Sequence, residues 1–378
     1  MTDIPVSGRV LIWAREFRGL STAEAAEKLG LTEAQLADFE GEAAPPTLTQ
    51  FEKFAAAYRL PLATLFRRTP PPMPPDLPDF RTFEGEPPRN SFDFGVALSN
   101  VRTLQHTLSL LRSDDEHFHG AQLRQYNLAG DPFEQGQAER SALGVTVRRQ
   151  LDWAYDDGFR HWRAIIERLG ISVYLQNFAE GDCRGCALWE DGVTPAILIN
   201  KTERSENGWV FTLIHEYAHL LIRRPGISDL NRRNPVEVFC NRFAAAFLMP
   251  VVALRRVLPI WPDRETDWEG SVINEAAREL KVSRQALAIR LEELGKAPAG
   301  FNRAFIVRPP GRPKSTQGNY VNTRLSEIGG RFTASVMGAL ERDVIDTTHA
   351  SEALGLSPPH LERARAYVER QRQLASAE

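Results

Sequence analysis

Phe211-Thr212-Leu213-Ile214-His215-Glu216-Tyr217-Ala218-His219-Leu220-Leu221-Ile222 is the stretch that decides how this chain is read. Positions four apart share one face of an α-helix, so His215 and His219 present their imidazoles to a single point. The neighbouring residues are uncharged and mostly apolar, which predicts a buried helix. Two imidazoles and a carboxylate are costly to bury unless something satisfies them, and a divalent ion does so. Zn2+ accepts such nitrogens at about 2.0–2.1 Å. Glu216 follows the first histidine directly, where it can act as general base toward a metal-bound water.

A catalytic zinc needs a further protein donor. Downstream, Val236-Glu237-Val238-Phe239-Cys240-Asn241-Arg242-Phe243 opens a second apolar helix that ends at Pro250. Glu237 and Asn241 are again four apart. Alone, Glu237 reads equally well as an acid favoured by the dipole at a helix start. Beside the histidine helix it is the natural third donor, with Asn241 placed to orient a ligating histidine by a hydrogen bond. The expected chemistry is peptide hydrolysis, with Glu216 taking the proton of the attacking water. Tyr217, Arg242 and Arg184 are the candidates for stabilising the oxyanion, and nothing in the sequence separates them.

Outward from this pair the period changes. Ile171 to Gln176 alternates as a strand does, and Ala187-Leu188-Trp189 and Ala196 to Ile199 follow across Asp191-Gly192, a turn dipeptide. A small antiparallel sheet is expected. Helical spacing predicts a helix over about 94–111 and another over about 138–168. It returns over 206–256 and 271–294, with Ser283 as a capped start, and three helices are expected over 320–378. Near the N-terminus, Ser21 with Glu24 reads as a capping box, and Gly30 stands where a left-handed residue ends a helix. Thr32 starts the next helix, so the pattern is helix-turn-helix. Residues 69–90 carry eight prolines, among them Pro70, Pro71, Pro72 and Pro88, and predict a semi-rigid tether.

Composition narrows the class. In 378 residues, 46 basic side chains face 49 acidic ones, for a net charge of -3, so any nucleic-acid binding is local rather than global. The candidate recognition segment 32–42 carries Glu33, Asp38, Glu40 and Glu42 with no lysine or arginine. That is the wrong sign for phosphates, and Gln35 alone is weak support for base reading. Three cysteines exclude a disulfide framework and fit a reducing compartment. Cys183 and Cys186 lack a second pair for a four-cysteine site, and Cys240 is expected in the core. The longest apolar run, Phe243 to Leu254, is broken by Pro250 and is short of the roughly 20 residues a membrane helix needs. We expect a cytoplasmic protein without a membrane segment; the oligomeric state is not legible.

On these residues the chain resembles an ImmA/IrrE-type zinc metallopeptidase with an N-terminal XRE-type helix-turn-helix domain. The resemblance rests on the His215 helix, Glu237 with Asn241-Arg242-Phe243-Ala244, Arg184-Gly185, and Pro195 to Asn200. It extends to Leu31 to Glu42, Pro46 to Ala55, Asp79-Phe80-Arg81 and Val282 to Gly295. It implies zinc held by His215, His219 and Glu237, with Glu216 as catalytic acid/base. It also implies a protein substrate: a transcriptional repressor, itself of helix-turn-helix type, whose cleavage relieves repression, often in a stress response. The expected architecture is α+β. Residues 1–68 form the helix-turn-helix domain, 69–90 the linker, 91–300 a mainly helical metallopeptidase core with a small antiparallel sheet, and 301–378 a helical sensor or substrate-docking domain. The alternative is a non-proteolytic helix-turn-helix regulator whose metal is structural or sensory.

Overall fold

Side-chain caps start many of the helices in the computed structural model, which describes residues 6–71, 91–112, 121, 123–179, 182–202, 206–228, 234–305 and 319–376. The described residues form two compact units, one holding the residues up to 71 with 91–100, the other everything from residue 101 onward. The tether beyond residue 71, Asp79, Phe80 and Arg81, and His117 and His119 lie outside the described residues.

The first unit contains α1 (Gly8–Phe17), α2 (Thr22–Leu29), α3 (Glu33–Glu40), α4 (Leu48–Tyr58) and α5 (Leu62–Leu65). Ser21, Thr32 and Thr47 each close a full capping box, with Glu24, Gln35 and Gln50 respectively. Gly30 ends α2 at φ 67, a conformation glycine adopts without strain. The capped helices pack around Val10, Leu11, Leu36, Phe51, Phe54 and Tyr58, all at most 1% exposed. Arg18 is buried and donates from Nε to the carbonyl of Tyr58 and from Nη2 to that of Arg59, satisfying orphan acceptors at the end of α4.

Residues of α6 (Phe92–Arg112) belong to both units. The second unit then runs α7 (Pro132–Ala142), α8 (Val147–Asp152), α9 (Gly158–Arg168), β1 (Ser172–Gln176), β2 (Gly185–Leu188), β3 (Ala196–Asn200), α10 (Glu206–Leu221), β4 (Gly226–Ser228), α11 (Pro235–Leu248), α12 (Val251–Val257), α13 (Gly270–Leu280), α14 (Arg284–Glu293), α15 (Tyr320–Ile328), α16 (Gly330–Glu341), α17 (Thr347–Leu354) and α18 (Leu361–Ser376). The single helix expected over 138–168 is three. Gly144 at φ +70 stops the first, Thr146 caps the second, and an extended Trp153 ends it. Four helices, not three, follow residue 319, because Gly329 and Gly355 break the periodic run.

The fold is α+β, as expected, but the sheet is mixed rather than antiparallel, in the order β1-β3-β2-β4. β1 ends level with Asn200 of β3, and Gly185 of β2 pairs at the same end, opposite Ile199. β2 therefore lies on the far side of β3 from β1, and β1 is the parallel neighbour of β3. The central position of β3 explains its continuous apolar run, buried at every residue. The alternation in β1 does not mark a solvated face. Val173 and Leu175 join the core shared with α9 and α10, while Tyr174 turns to Phe332 of α16, ring centroids 6.4 Å apart. Helices thus cover both faces.

Helix α11 is held at both ends. Asn234 caps its start with Pro235 in the first turn. At its far end Arg140 donates to the carbonyl of Phe247, and Gln150 to those of Leu248 and Leu280. No single helix among the described residues is long and apolar enough to cross a membrane; α11 and α12 pass only as a pair bent by 51°, where Pro250 interrupts them.

Candidate metal centre

Helix α10 carries Val210, Leu213, Ile214, Tyr217, Ala218 and Leu221 into the core beneath the sheet. That burial leaves His215 and His219 one turn apart on the remaining side, their Nε2 atoms 3.2 Å from each other. After α10 the chain reverses at Arg223, in the left-handed region at φ 56. The reversal places the carbonyl oxygen of Arg224 2.9 Å from Nδ1 of His219 and feeds β4 back alongside β2. Glu237, at the start of α11, closes the group: its Oε2 lies 3.1 Å from His215 Nε2 and its Oε1 3.1 Å from His219 Nε2. All three side chains are fully buried. Among the described residues they form the group of donors that could share one ion.

The protonation pattern argues for a cation between them. A carbonyl only accepts, so Nδ1 of His219 carries the proton toward Arg224, and in the neutral ring Nε2 is a lone pair. That lone pair faces a carboxylate oxygen and a second imidazole nitrogen at hydrogen-bond distance, a repulsive arrangement unless positive charge sits among them. Among the described residues the Glu237 oxygens find no hydrogen-bond donor other than these rings. Burial holds His215 below the ordinary imidazole value against the pull of Glu237, which favours the neutral donor form. Burial alone would raise the Glu237 carboxyl; positive charge at the His215 and His219 positions, with hydrogen bonds from them, brings it down to about 2, so the carboxylate stays ionised while the group holds a cation. Neutral imidazoles and an ionised carboxylate are the forms that ligate. Tetrahedral donors about 2.0–2.1 Å from an ion stand roughly 3.4 Å apart, close to the observed 3.1–3.2 Å. The donor set fits zinc.

Glu216 is also fully buried, and its carboxylate lies against the backbone of β2 at Gly185. Cys240 shares this neighbourhood as a core thiol: burial first, then the charges of Glu237 and Glu216, push it well above the usual thiol range. Of the oxyanion candidates, Arg184 is exposed and Arg242 sits 5.9 Å from the Phe133 ring centroid. The hydroxyl of Tyr217 donates to Oε1 of Glu139 at 2.6 Å, and Tyr126 donates to Oε2 of the same carboxylate at 2.9 Å. Sequence reasoning missed Glu139, one acid among many in a charged segment, whose task depends on two tyrosines distant in the chain. Tyr217→Phe should cost about 1–2 kcal/mol of stability through the lost buried hydrogen bond, with kcat changed less than about threefold. A far larger loss of kcat at intact metal content would return the hydroxyl to the reaction.

Residues 166–292, from α9 through nearly all of α14, match the family model described as the IrrE N-terminal-like domain, Peptidase_M78. The match supports the ImmA/IrrE family. The IrrE-like segment contains the whole sheet and both helices of the donor group, which supports a metallopeptidase. The match does not extend to the first unit or to α15–α18. No curated protein and no solved structure matches the chain significantly.

Proposed function

We propose that this protein is a zinc-dependent endopeptidase that cleaves a transcriptional repressor and so relieves repression. The observation that carries the reading is the convergence of His215, His219 and Glu237 in one buried group, with Glu216 on the same helix as the histidines. His215, His219 and Glu237 would hold the ion, and when bound it supplies Lewis-acid polarisation of the scissile carbonyl and of the attacking water. Glu216 takes the proton of that water and returns it to the leaving amine. The Arg224 carbonyl keeps the His219 ring turned inward, and Asn241, one turn beyond Glu237 on α11, would do the same for His215.

A protein substrate fits the first unit as well. The exposed side of α3 carries Glu33 and Asp38 without a basic residue, and Gln35 spends its Oε1 on the amide of Thr32 at 2.9 Å. A helix of that sign, with its one amide side chain engaged in a cap, supports protein docking over DNA binding. The full burial of the donors is the feature that favours a second reading, a structural metal tying α10 to α11. Three donors rather than the four of a closed structural site favour catalysis.

The test incubates the zinc-loaded chain with a helix-turn-helix repressor encoded nearby and searches for fragments by mass spectrometry, with and without chelator. Chelator-sensitive fragments are expected. Tight binding with no fragment at any zinc level would replace the proposal by the structural reading. Glu237→Ala should lower zinc affinity about 10²–10³-fold, because about 10–16 kcal/mol divided over four ligands of a structural site assigns roughly 3 kcal/mol to each. Competition with a chromogenic chelator measures it.

A further inference from the structure

We propose that Gly185 is a positioning residue for Glu216, its missing side chain forming the seat that holds the carboxylate in place beside the donor group. The inference rests on the catalytic reading of Glu216 and concerns a residue outside the donor set.

The geometry is specific. Residues Val173, Leu175, Ala187, Ile197 and Ile199 mark the sheet face that packs on α10, and by the alternation of strand side chains Gly185 stands on that face, two positions before Ala187. A Cβ placed on Gly185 would lie 3.0 Å from Oε1 of Glu216, 2.9 Å from Cγ2 of Thr212 and 2.9 Å from the carbonyl oxygen of Leu198. Ordinary contact is about 3.5 Å, so every non-glycine residue displaces at least one of the three. The Leu198 carbonyl is backbone of the central strand and yields least. Thr212 and Glu216 are one helical turn apart on α10, both fully buried, with no solvent into which to retreat. The carboxylate oxygen Oε1 is thus wedged between a helix turn and a bare strand backbone. Backbone φ plays no part, since Gly185 is not among the positive-φ glycines. The constraint is space alone.

Gly185→Ala is expected to lower kcat about tenfold or more, since displacement of a reacting group by about 1 Å costs roughly 10²-fold. KM and zinc affinity should be unchanged, because the three atoms nearest the added methyl belong to Leu198, Thr212 and Glu216 and none to His215, His219 or Glu237. Two controls separate positioning from general disturbance of the helix. In the Thr212→Ser background, which removes the competing Cγ2, the loss on adding Gly185→Ala should persist; full rescue would assign the effect to helix displacement and overturn the proposal. In the Glu216→Gln background the same substitution should have no further effect on kcat. A crystal structure of Gly185→Ala supplies the readout independent of turnover: the Glu216 carboxylate is expected to move while the donor triad stays. A carboxylate found in its parental place, or kcat within about twofold of the parent, would refute the positioning role. If the parent protein cleaves nothing, the catalytic reading has failed, and the crystallographic comparison still decides whether Gly185 seats Glu216.

Discussion

Glu216→Gln should reduce kcat by about 10²–10⁴-fold, the range carried by a positioned general acid/base, while the protein stays folded and keeps its full zinc content. The substitution retains side-chain volume, and the position is fully buried, so packing against Thr212 and Gly185 is preserved. The donor triad is untouched: His215 and His219 point their Nε2 atoms at Glu237, and Glu216 is absent from that set. What is lost is the ability to accept a proton. Cleavage of the proposed repressor substrate at an undiminished rate, with metal bound, would show that some other group moves the proton. Loss of zinc together with activity would instead make Glu216 part of the donor set.

Glu167→Ala should destabilise the fold by about 3–5 kcal/mol, the range for removing one member of a buried ion pair. Glu167 lies on α9, 6% exposed, and its Oε1 accepts from Nε of Arg163 at 3.1 Å. Its Oε2 accepts from the amides of Gly330 at 3.0 Å and Arg331 at 3.2 Å. The carboxylate therefore caps the positive end of α16 from a different part of the chain. Burial pushes its pKa up, and Arg163 with the two amides pulls it back. Arg163 donates further to the carbonyls of Ser326 and Val173, tying α15 and β1 to the same pair. The space is close: a Cβ at Gly329 would lie 2.4 Å from Oε1 of Glu167, so the helix start can approach only as glycine. Removing the acid strands a buried guanidinium and uncaps α16 together. Urea unfolding followed by tryptophan fluorescence measures the change; a loss below about 1 kcal/mol would mean the C-terminal helices are held elsewhere. The same contacts tie α15 and α16 to α9 and β1, within the second unit that also holds α17 and α18. We propose that any sensing or docking by residues 301–378 acts through this unit.

Local features were legible because their chemistry closes within a few residues. Ser21 and Thr32 each name their own helix start through a partner three positions on, and Gly30 names a helix end. The His215–His219 spacing belongs to the same class, since helical geometry alone brings the two rings together. The break of the apolar run at Pro250 is a covalent property of proline. Where periodicity alone was used, boundaries failed, as in the region 138–168, because an apolar stripe continues across short helices that pack on one core.

The sequence by itself determined the helix starts, the paired imidazoles, the adjacent carboxylate and the α+β class, since each depends on residues close in the chain. Tertiary structure alone decided the order of the strands, the second covered face of the sheet, the commitment of Tyr217 to Glu139, the cap of Glu167 on α16 and the seat of Glu216 at Gly185. It also brought Glu237 within 3.1 Å of both rings, across a chain reversal. The division has one physical cause. Torsional preferences and capping hydrogen bonds act over a few residues, whereas burial is satisfied by any apolar neighbour and leaves the choice of partner to the packing of the whole.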